Sequence, residues 1–462
     1  MTSRIKYSAI LYGSLFLPYN SGANAPEKPE NKPNFIIINC DDLGYGDLGC
    51  FGHPTIRTPH LDKLAYEGQK WTGFYVSAAV SSPSRAGLLT GRLGIRTGMY
   101  GNTREVLFPD SPKGLPQEEL TIASLLKQAG YTNACVGKWH VGHEEESMPW
   151  NHGFDYYYGI PYSNDMSQKE QKANGNEHYP YPLPFYNQHK VIEWDPDQTQ
   201  FTKRLTEYAV HFIKEQKKQP FFLYLAHPMP HIPLYASENF QGKSIRGKYG
   251  DAVEEIDWSV GQIIETLRKN GLDKNTIVIF TSDNGPWLSY RLEGGSAGLL
   301  KDGKASTCEG GFRVPCIIWG TNIIPSVISD MGSTLDILPT FCEIAGVELP
   351  ADRAYDGVSL MKTLTQKEKS PRQHFPFFRG SELYAFRKGN YKIHFISRAA
   401  YGSKDRTIHA IPLLYDIEKD PGETLNQASG YPEIIKELTQ EVQLYLKSIQ
   451  IKKSIFDLPA IK

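Results

Sequence analysis

Along the chain the apolar residues fall into two alternating patterns: short unbroken runs, and longer stretches where apolar positions recur every three or four residues. The first run, 35–40 (Phe-Ile-Ile-Ile-Asn-Cys), is continuous, as expected of a strand covered on both faces. A short strand at 133–136 follows a segment in which Ile122, Leu125, Leu126 and Ala129 lie at helical spacing between Thr121 and Gly130, which predicts a capped amphipathic helix. Leu205, Tyr208, Ala209, Phe212 and Ile213 mark another helix, broken at Pro220 and followed by a strand at 221–225. A helix over 252–268, closed by Gly271, and a strand at 276–280 repeat the unit, and 314–319 reads as a further strand. Earlier, Thr58 and Pro59 open a helix as N-cap and first helical residue.

Helices alternating with buried strands predict an α/β fold: a large mixed, mostly parallel sheet flanked by helices. Between 365 and 380 the text turns Lys- and Pro-rich; turn-linked strand character follows over 383–395, then a helix over 432–449 with apolar Ile434, Ile435, Leu438, Val442 and Leu446. This predicts a smaller C-terminal α+β domain, an antiparallel sheet plus a helix. At the N-terminus, Arg4 and Lys6 precede an apolar run at 8–17 and the small residues Ala23-Asn24-Ala25, the pattern of a secretory signal peptide too short to span a bilayer. The expected division is 1–25 as signal peptide, 33–370 as the main domain and 371–462 as the C-terminal domain, with the mature protein exported.

The 462 residues carry 50 basic and 51 acidic side chains, a net charge of -1, so no global field draws the protein to nucleic acid or an anionic membrane. An anionic substrate needs a local basic pocket. The six cysteines include no Cys-x-x-Cys pair, which argues against thiolate zinc sites and for buried small apolar groups; the spacing also permits a Cys308–Cys316 disulfide.

Four of the predicted strands deliver polar residues at their ends: Asp41 and Asp42, Lys138 and His140, His227 and His231, Asp283 and Asn284. Ligands of such sheets bind outside the carboxyl ends of the strands, so these four groups are expected to converge. Adjacent carboxylates backed by glycines suit a hard divalent cation. The stretch Ser81-Ser82-Pro83-Ser84-Arg85-Ala86-Gly87-Leu88-Leu89-Thr90-Gly91-Arg92 fits a nucleophile held at a helix N-terminus, and fits an ordinary capped turn as well.

That stretch resembles the sulfatase signature, in which Cys or Ser is followed by any residue, Pro, Ser and Arg, and then by Leu-x-Thr-Gly-Arg. The resemblance extends to Asp-Asp-Leu-Gly-Tyr-Gly-Asp-Leu-Gly at 41–49, Gly-Lys-Trp-His at 137–140, Asp-Asn-Gly at 283–285 and Leu-Tyr-Asp-Ile-Glu-Lys-Asp-Pro-Gly-Glu at 414–423, and so to nearly the whole mature chain. Within the family, part of the alkaline phosphatase superfamily, it is most similar to the arylsulfatase A and N-acetylgalactosamine-6-sulfatase branch. It implies that a maturation enzyme oxidises Ser81 to formylglycine and that Asp41, Asp42, Asp283, Asn284 and residue 81 hold calcium. It further implies that Arg85, Lys138, His140, Ser163, His231 and Lys304 complete the pocket, with Ser163, Lys138, His231 and Lys304 on the substrate.

The implied mechanism is covalent. The aldehyde hydrates and one hydroxyl, assisted by Asp283, attacks sulfur; Lys138 and Lys304 hold sulfate oxygens, His231 protonates the leaving oxygen, and His140 takes the proton of the second hydroxyl so that sulfate is eliminated. Serine stands where many relatives carry Cys; this implies a Ser-type sulfatase of the bacterial periplasm or cell surface, or else a serine substituted for the native Cys.

The expectation is an exported hydrolase of O-sulfate on galactose or N-acetylgalactosamine in a sulfated glycan, with no membrane span and no nucleic-acid partner. Three alternatives stand beside it: an arylsulfatase of broad specificity, a phosphatase or phosphonate hydrolase of the same superfamily, and a non-catalytic binder of sulfated glycans. A two-metal phosphatase would need a second Asp/His cluster where Lys138 and Lys304 stand.

Overall fold

Strand β1 (Asn34–Cys40) is buried at every position. Its odd members Phe35 and Ile37 face one apolar core and its even members Ile36, Ile38 and Cys40 another, which is why the run does not alternate. In the computed structural model, which describes residues 32–173, 181–216, 219–401 and 405–460, β1 lies inside a ten-stranded sheet. The signal-peptide expectation at 1–25 falls outside the described residues.

The remaining strands of this sheet are β2 (Gln69–Tyr75), β3 (Thr132–Lys138), β4 (Tyr156–Ile160), β5 (Pro184–Asn187), β6 (Lys190–Trp194), β7 (Phe221–Ala226), β8 (Thr276–Ser282), β9 (Arg313–Gly320) and β10 (Ser326–Ser333). Their order is β10-β2-β9-β8-β1-β7-β3-β4-β5-β6. The central run β8-β1-β7-β3-β4 is parallel throughout, so its members end on one edge. On the flanks β9 runs antiparallel to β8 and β2, and β5 antiparallel to β4 and β6. The fold is the large, mixed, mostly parallel sheet expected.

Helices Pro59–Glu67, Ile122–Gln128, Phe201–Glu215 and Lys248–Lys269 connect these strands. Thr121 and Ser124 form the reciprocal capping box that starts the second. Thr58 precedes the first helix without capping it. Its hydroxyl is held between Gly49 N–H and Asp62, while Asp257 accepts from the free N–H groups of His60 and Leu61 at 3.2 and 2.8 Å.

The C-terminal strands β11 (His374–Arg379), β12 (Glu382–Lys388), β13 (Tyr391–Arg398) and β14 (Arg406–Asp416) form an antiparallel sheet, joined by helix Pro432–Lys447. Phe375, Phe377, Ile393, Leu438 and Val442 share one continuous core with Phe35 and Ile37. All six cysteines are free thiols, so Cys308 and Cys316 are not bridged: Cys316 lies buried in β9, and Cys308 stands at the start of a helical turn, Glu309–Phe312. Among the described residues no helix is long and apolar enough to cross a membrane.

Candidate active site

The parallel run places its polar ends together. Register pairs Cys40 with Ser282, setting Asp41 and Asp42 beside Asp283 and Asn284, and Asp42 turns the chain with a φ of 60°. Beyond β7, on the other side of β1, β3 ends in Lys138, followed by buried Trp139 and by His140 with a φ of 57°. Helix Ser81–Thr90, buried at every position, points its first residue into this group, led in by the extended Val80.

Ser81 Oγ donates to Asp41 Oδ1 at 3.2 Å and lies 3.5 Å from Asn284 Oδ1. The Asn284 amide donates to Asp42 Oδ1 (2.7 Å), and Asp42 N–H to Asp283 Oδ1 (3.2 Å). Arg85, fully buried, sends Nε and Nη2 to Asp283 Oδ2, each at 2.8 Å, and Nη1 to the Lys138 carbonyl at 2.8 Å. The Lys138 ammonium donates to Asp41 Oδ2 and to Ser163 Oγ (3.0 Å), and Lys304 Nζ donates to Asp42 Oδ2 (2.8 Å). His231 Nε2 is 3.6 Å from Asp42 Oδ2, while its Nδ1 meets the Ile232 carbonyl. All eleven residues expected at the site are therefore in one place. His227 is not among them: it is buried in the core, with Nε2 against Ser259 Oγ at 3.1 Å.

The charges shape one another. Burial alone would raise the Asp41 carboxyl, but Lys138, His231, Arg85 and Lys304 pull it well below the usual carboxylate range. Asp283 is pushed up to about 6 by burial and by Asp41, against the pull of Arg85 and Lys138. Burial also lowers Lys138, partly offset by Asp41, whereas Asp42 and Asp41 outweigh burial at Lys304 and raise it. Burial, then Lys138 and Arg85, hold His140 well below the ordinary histidine value, which keeps it neutral. Its Nε2 sits 3.0 Å from the Leu107 carbonyl, so the proton resides there, and Nδ1 is buried with no hydrogen-bond partner among the described residues.

The donor set fits a hard divalent cation such as Ca²⁺. Side-chain oxygens of Asp41, Asp42, Asp283, Asn284 and Ser81 surround one another with no thiolate among them. Three buried carboxylates (Asp41, Asp42, Asp283) balance three buried cations (Arg85, Lys138, Lys304). A divalent ion would therefore leave an excess of two positive charges, matching a sulfate monoester plus an ionised nucleophile. One oxygen each of Asp41 and Asp42 and a ring nitrogen of His231 lie within 4.8 Å of one another, so His231 borders the cation position.

Two neighbours of the site were not singled out in the sequence. The Leu107 carbonyl, which fixes the His140 tautomer, is main chain; its own N–H donates to Ser82 Oγ (3.1 Å), tying the base to the residue after Ser81. Trp287 packs under Lys304, whose Nζ is 4.2 Å from the ring centroid, and its ring lies 5.5 Å from that of His231. Its position just after Asp283-Asn284-Gly285 was the available hint. In the C-terminal sheet His394 is buried, and Arg379 pairs with Glu105 at 2.7 Å.

Known proteins share this arrangement's framework. The Sulfatase family model matches residues 33–347, and that of the C-terminal region of aryl-sulfatase matches 370–460. The chain is 39% identical to arylsulfatase A of Homo sapiens over 457 residues, covering 92% of this chain and 88% of that protein. It is 36% identical to N-acetylgalactosamine-6-sulfatase of Rattus norvegicus over 488 residues, covering 96% and 91%. Among solved structures, Ps i-CgsB in complex with k-i-k-neocarrahexaose superposes with a TM-score of 0.75 at 32% identity, covering 90% of this chain and 92% of that one. PsFucS1 sulfatase from Pseudoalteromonas sp. superposes with a TM-score of 0.82 at 28% identity, covering 91% and 92%. A phosphonate monoester hydrolase of Agrobacterium radiobacter, at 18% identity and a TM-score of 0.61, shares the fold alone.

Proposed function

The chain belongs to the sulfatase family and is a sulfuric ester hydrolase, and from that premise we propose that it removes O-sulfate from galactose or N-acetylgalactosamine in a sulfated glycan. In this reading the protein is exported, residues 33–370 carry the chemistry, residues 371–462 form the smaller domain, and a maturation enzyme oxidises Ser81 to formylglycine. The observation that carries it is the setting of Ser81: a helix N-terminus against Asp41 and Asn284, with Lys138 on Asp41 and Lys304 on the adjacent Asp42. The choice of sugar rests on the N-acetylgalactosamine-6-sulfatases among the relatives and on the carrageenan-type hexaose in the Ps i-CgsB complex.

Asp41, Asp42, Asp283, Asn284 and residue 81 would hold calcium, which when bound supplies Lewis-acid stabilisation of oxyanion charge, while the oxidised residue supplies a second ionisable hydroxyl that plain serine lacks. Lys138 and Lys304 take the sulfate oxygens in place of the carboxylates they now meet. Fixed, desolvated ammonium groups of this kind favour charge that builds up at the transition state. With Nδ1–H on the Ile232 carbonyl, His231 as the imidazolium would deliver its Nε2 proton, steadied by Asp42, to the leaving sugar oxygen and remain as the Nδ1–H neutral form. His140 accepts a proton on its free Nδ1, the tautomer being set by Leu107. Arg85 touches no substrate in this scheme; it locks Asp283 and the end of β3. Ser163 orients Lys138.

The test is a panel of 6-O-sulfated galactose, 6-O-sulfated N-acetylgalactosamine, 4-nitrophenyl sulfate and 4-nitrophenyl phosphate. Sulfate release from the two sugars with the highest kcat/KM is expected. Faster turnover of the phosphate, or preference for the aryl ester over both sugars, would overturn the reading.

A further inference from the structure

Lys304 sits in a segment with little regular structure, between β8 and β9, and its neighbours hold unfavourable backbone angles: Asp302 has a φ of 64° and Ala305 one of 68°. Such angles persist only where surrounding contacts enforce them. Inside the main domain, Lys304 N–H donates to the Pro286 carbonyl (2.9 Å) and Ala305 N–H to the Ala79 carbonyl (2.8 Å). Further restraints come from the C-terminal region.

They centre on Glu423, the last residue of the 414–423 motif, for which the chemistry above has no use. Glu423 is buried, with a φ of 50°. Its Oε2 accepts from Glu309 N–H at 2.7 Å, and its Oε1 meets Lys392 Nζ (3.1 Å) and His394 Nε2 (2.6 Å). Lys392 also donates to Glu309 Oε1 at 3.0 Å, closing a buried triangle. At the other end of the segment, Lys301 Nζ donates to the Glu423 carbonyl (3.4 Å), and the Lys301 carbonyl accepts from Gly310 N–H (2.8 Å). Asp302 Oδ2 accepts from Ala400 N–H at 3.1 Å. Glu423 thus grips both sides of the segment, through Lys301 before Lys304 and Glu309 after it.

We propose that Glu423 is a positioning residue for Lys304: from the turn beyond β14 it clamps the 301–309 segment so that the ammonium group reaches the sulfate site. The inference rests on the reading of Lys304 as a sulfate-holding group. It gives the C-terminal region a part in catalysis through Glu423, which acts on Lys304 from a distance.

A double-mutant cycle tests it, with kcat/KM for a sulfate ester measured for the full chain, Glu423→Gln, Lys304→Ala and the double variant. Glu423→Gln is expected to lower kcat/KM about 10-fold in the parent and less than about 2-fold once Lys304 is gone, since coupled residues are non-additive. Equal losses in both backgrounds, or no loss in either, would overturn the positioning role. An unchanged Lys304→Ala would instead overturn the reading of Lys304, and this inference with it. If Glu423→Gln does not fold, Lys301→Met loosens one side of the clamp only; in the same cycle, a loss that shrinks without Lys304 supports the positioning role, and equal losses or none overturn it.

Discussion

Residue 81 is small, and most of what it needs is supplied by others. Ser81→Ala removes the only oxygen that can become the nucleophile while leaving the apolar packing of its helix intact. Turnover should fall by roughly 10⁴-fold or more, as for other nucleophile deletions, with an unchanged far-UV circular dichroism spectrum. Arg85 is a different case. Its three nitrogens meet a carboxylate and a carbonyl with no solvent access, and a lysine offers one point charge where a planar fork is needed. Arg85→Lys should cost about 3 kcal/mol of stability by urea unfolding, because it leaves buried Asp283 poorly paired. At this scale the sequence was most informative where side chains do the chemistry. It was silent where main chain does it, as at Leu107, and misleading at Thr58, whose hydroxyl is drawn to Asp62 so that the cap falls to Asp257, remote in sequence.

At the scale of elements, the helix that carries Ser81 is tied to the segment before it. A Cβ on Gly87 would lie 2.1 Å from Ser77 Oγ and 2.6 Å from Ser77 Cβ. Helix propensity alone favours alanine over glycine by about 1 kcal/mol. The clash should win, so Gly87→Ala is expected to destabilise by about 1–3 kcal/mol and to lower kcat by shifting Ser81, measured by thermal unfolding and steady-state kinetics. Thr121→Ala is the contrasting case: it removes the capping box and a hydrogen bond to the His152 carbonyl, for a loss of about 1–2 kcal/mol, with kcat/KM retained. Strands buried on both faces, such as β1 and β7, were legible as unbroken apolar runs. β2 was not, because Gln69 and Thr72 interrupt it; Gln69 is buried only because its amide finds the carbonyls of Ile324, Thr363 and Leu364. β14 escaped as well, being an edge strand with Ile408 and Ile411 exposed and Pro412 within it.

For the whole molecule, a near-neutral chain buries two clusters of several charges each, at the site and at the joint between the sheets. In the second, burial would raise Glu423, but Lys392 and His394 prevail and bring it to about 2, below the ordinary 4.5. The unfolded chain therefore binds the proton more readily, so this stabilisation is complete above about pH 4.5 and drains away as pH falls towards 2. Thermal unfolding across pH 2–6 should show that loss, and Glu423→Gln should flatten it. The clusters also explain what the sequence left out: Lys392 and His394 lie in β13, Glu309 in the helical turn before β9 and Glu423 beyond β14, and only the docking of one sheet on the other brings them together.

Everything proposed for catalysis turns on residue 81 working as an oxidised side chain. A mass spectrum of the peptide containing it, from protein made in its own host with turnover measured on the same sample, addresses this directly. Active protein should show a loss of two hydrogens at residue 81. An unmodified serine in protein that still hydrolyses sulfate esters would contradict the proposed chemistry.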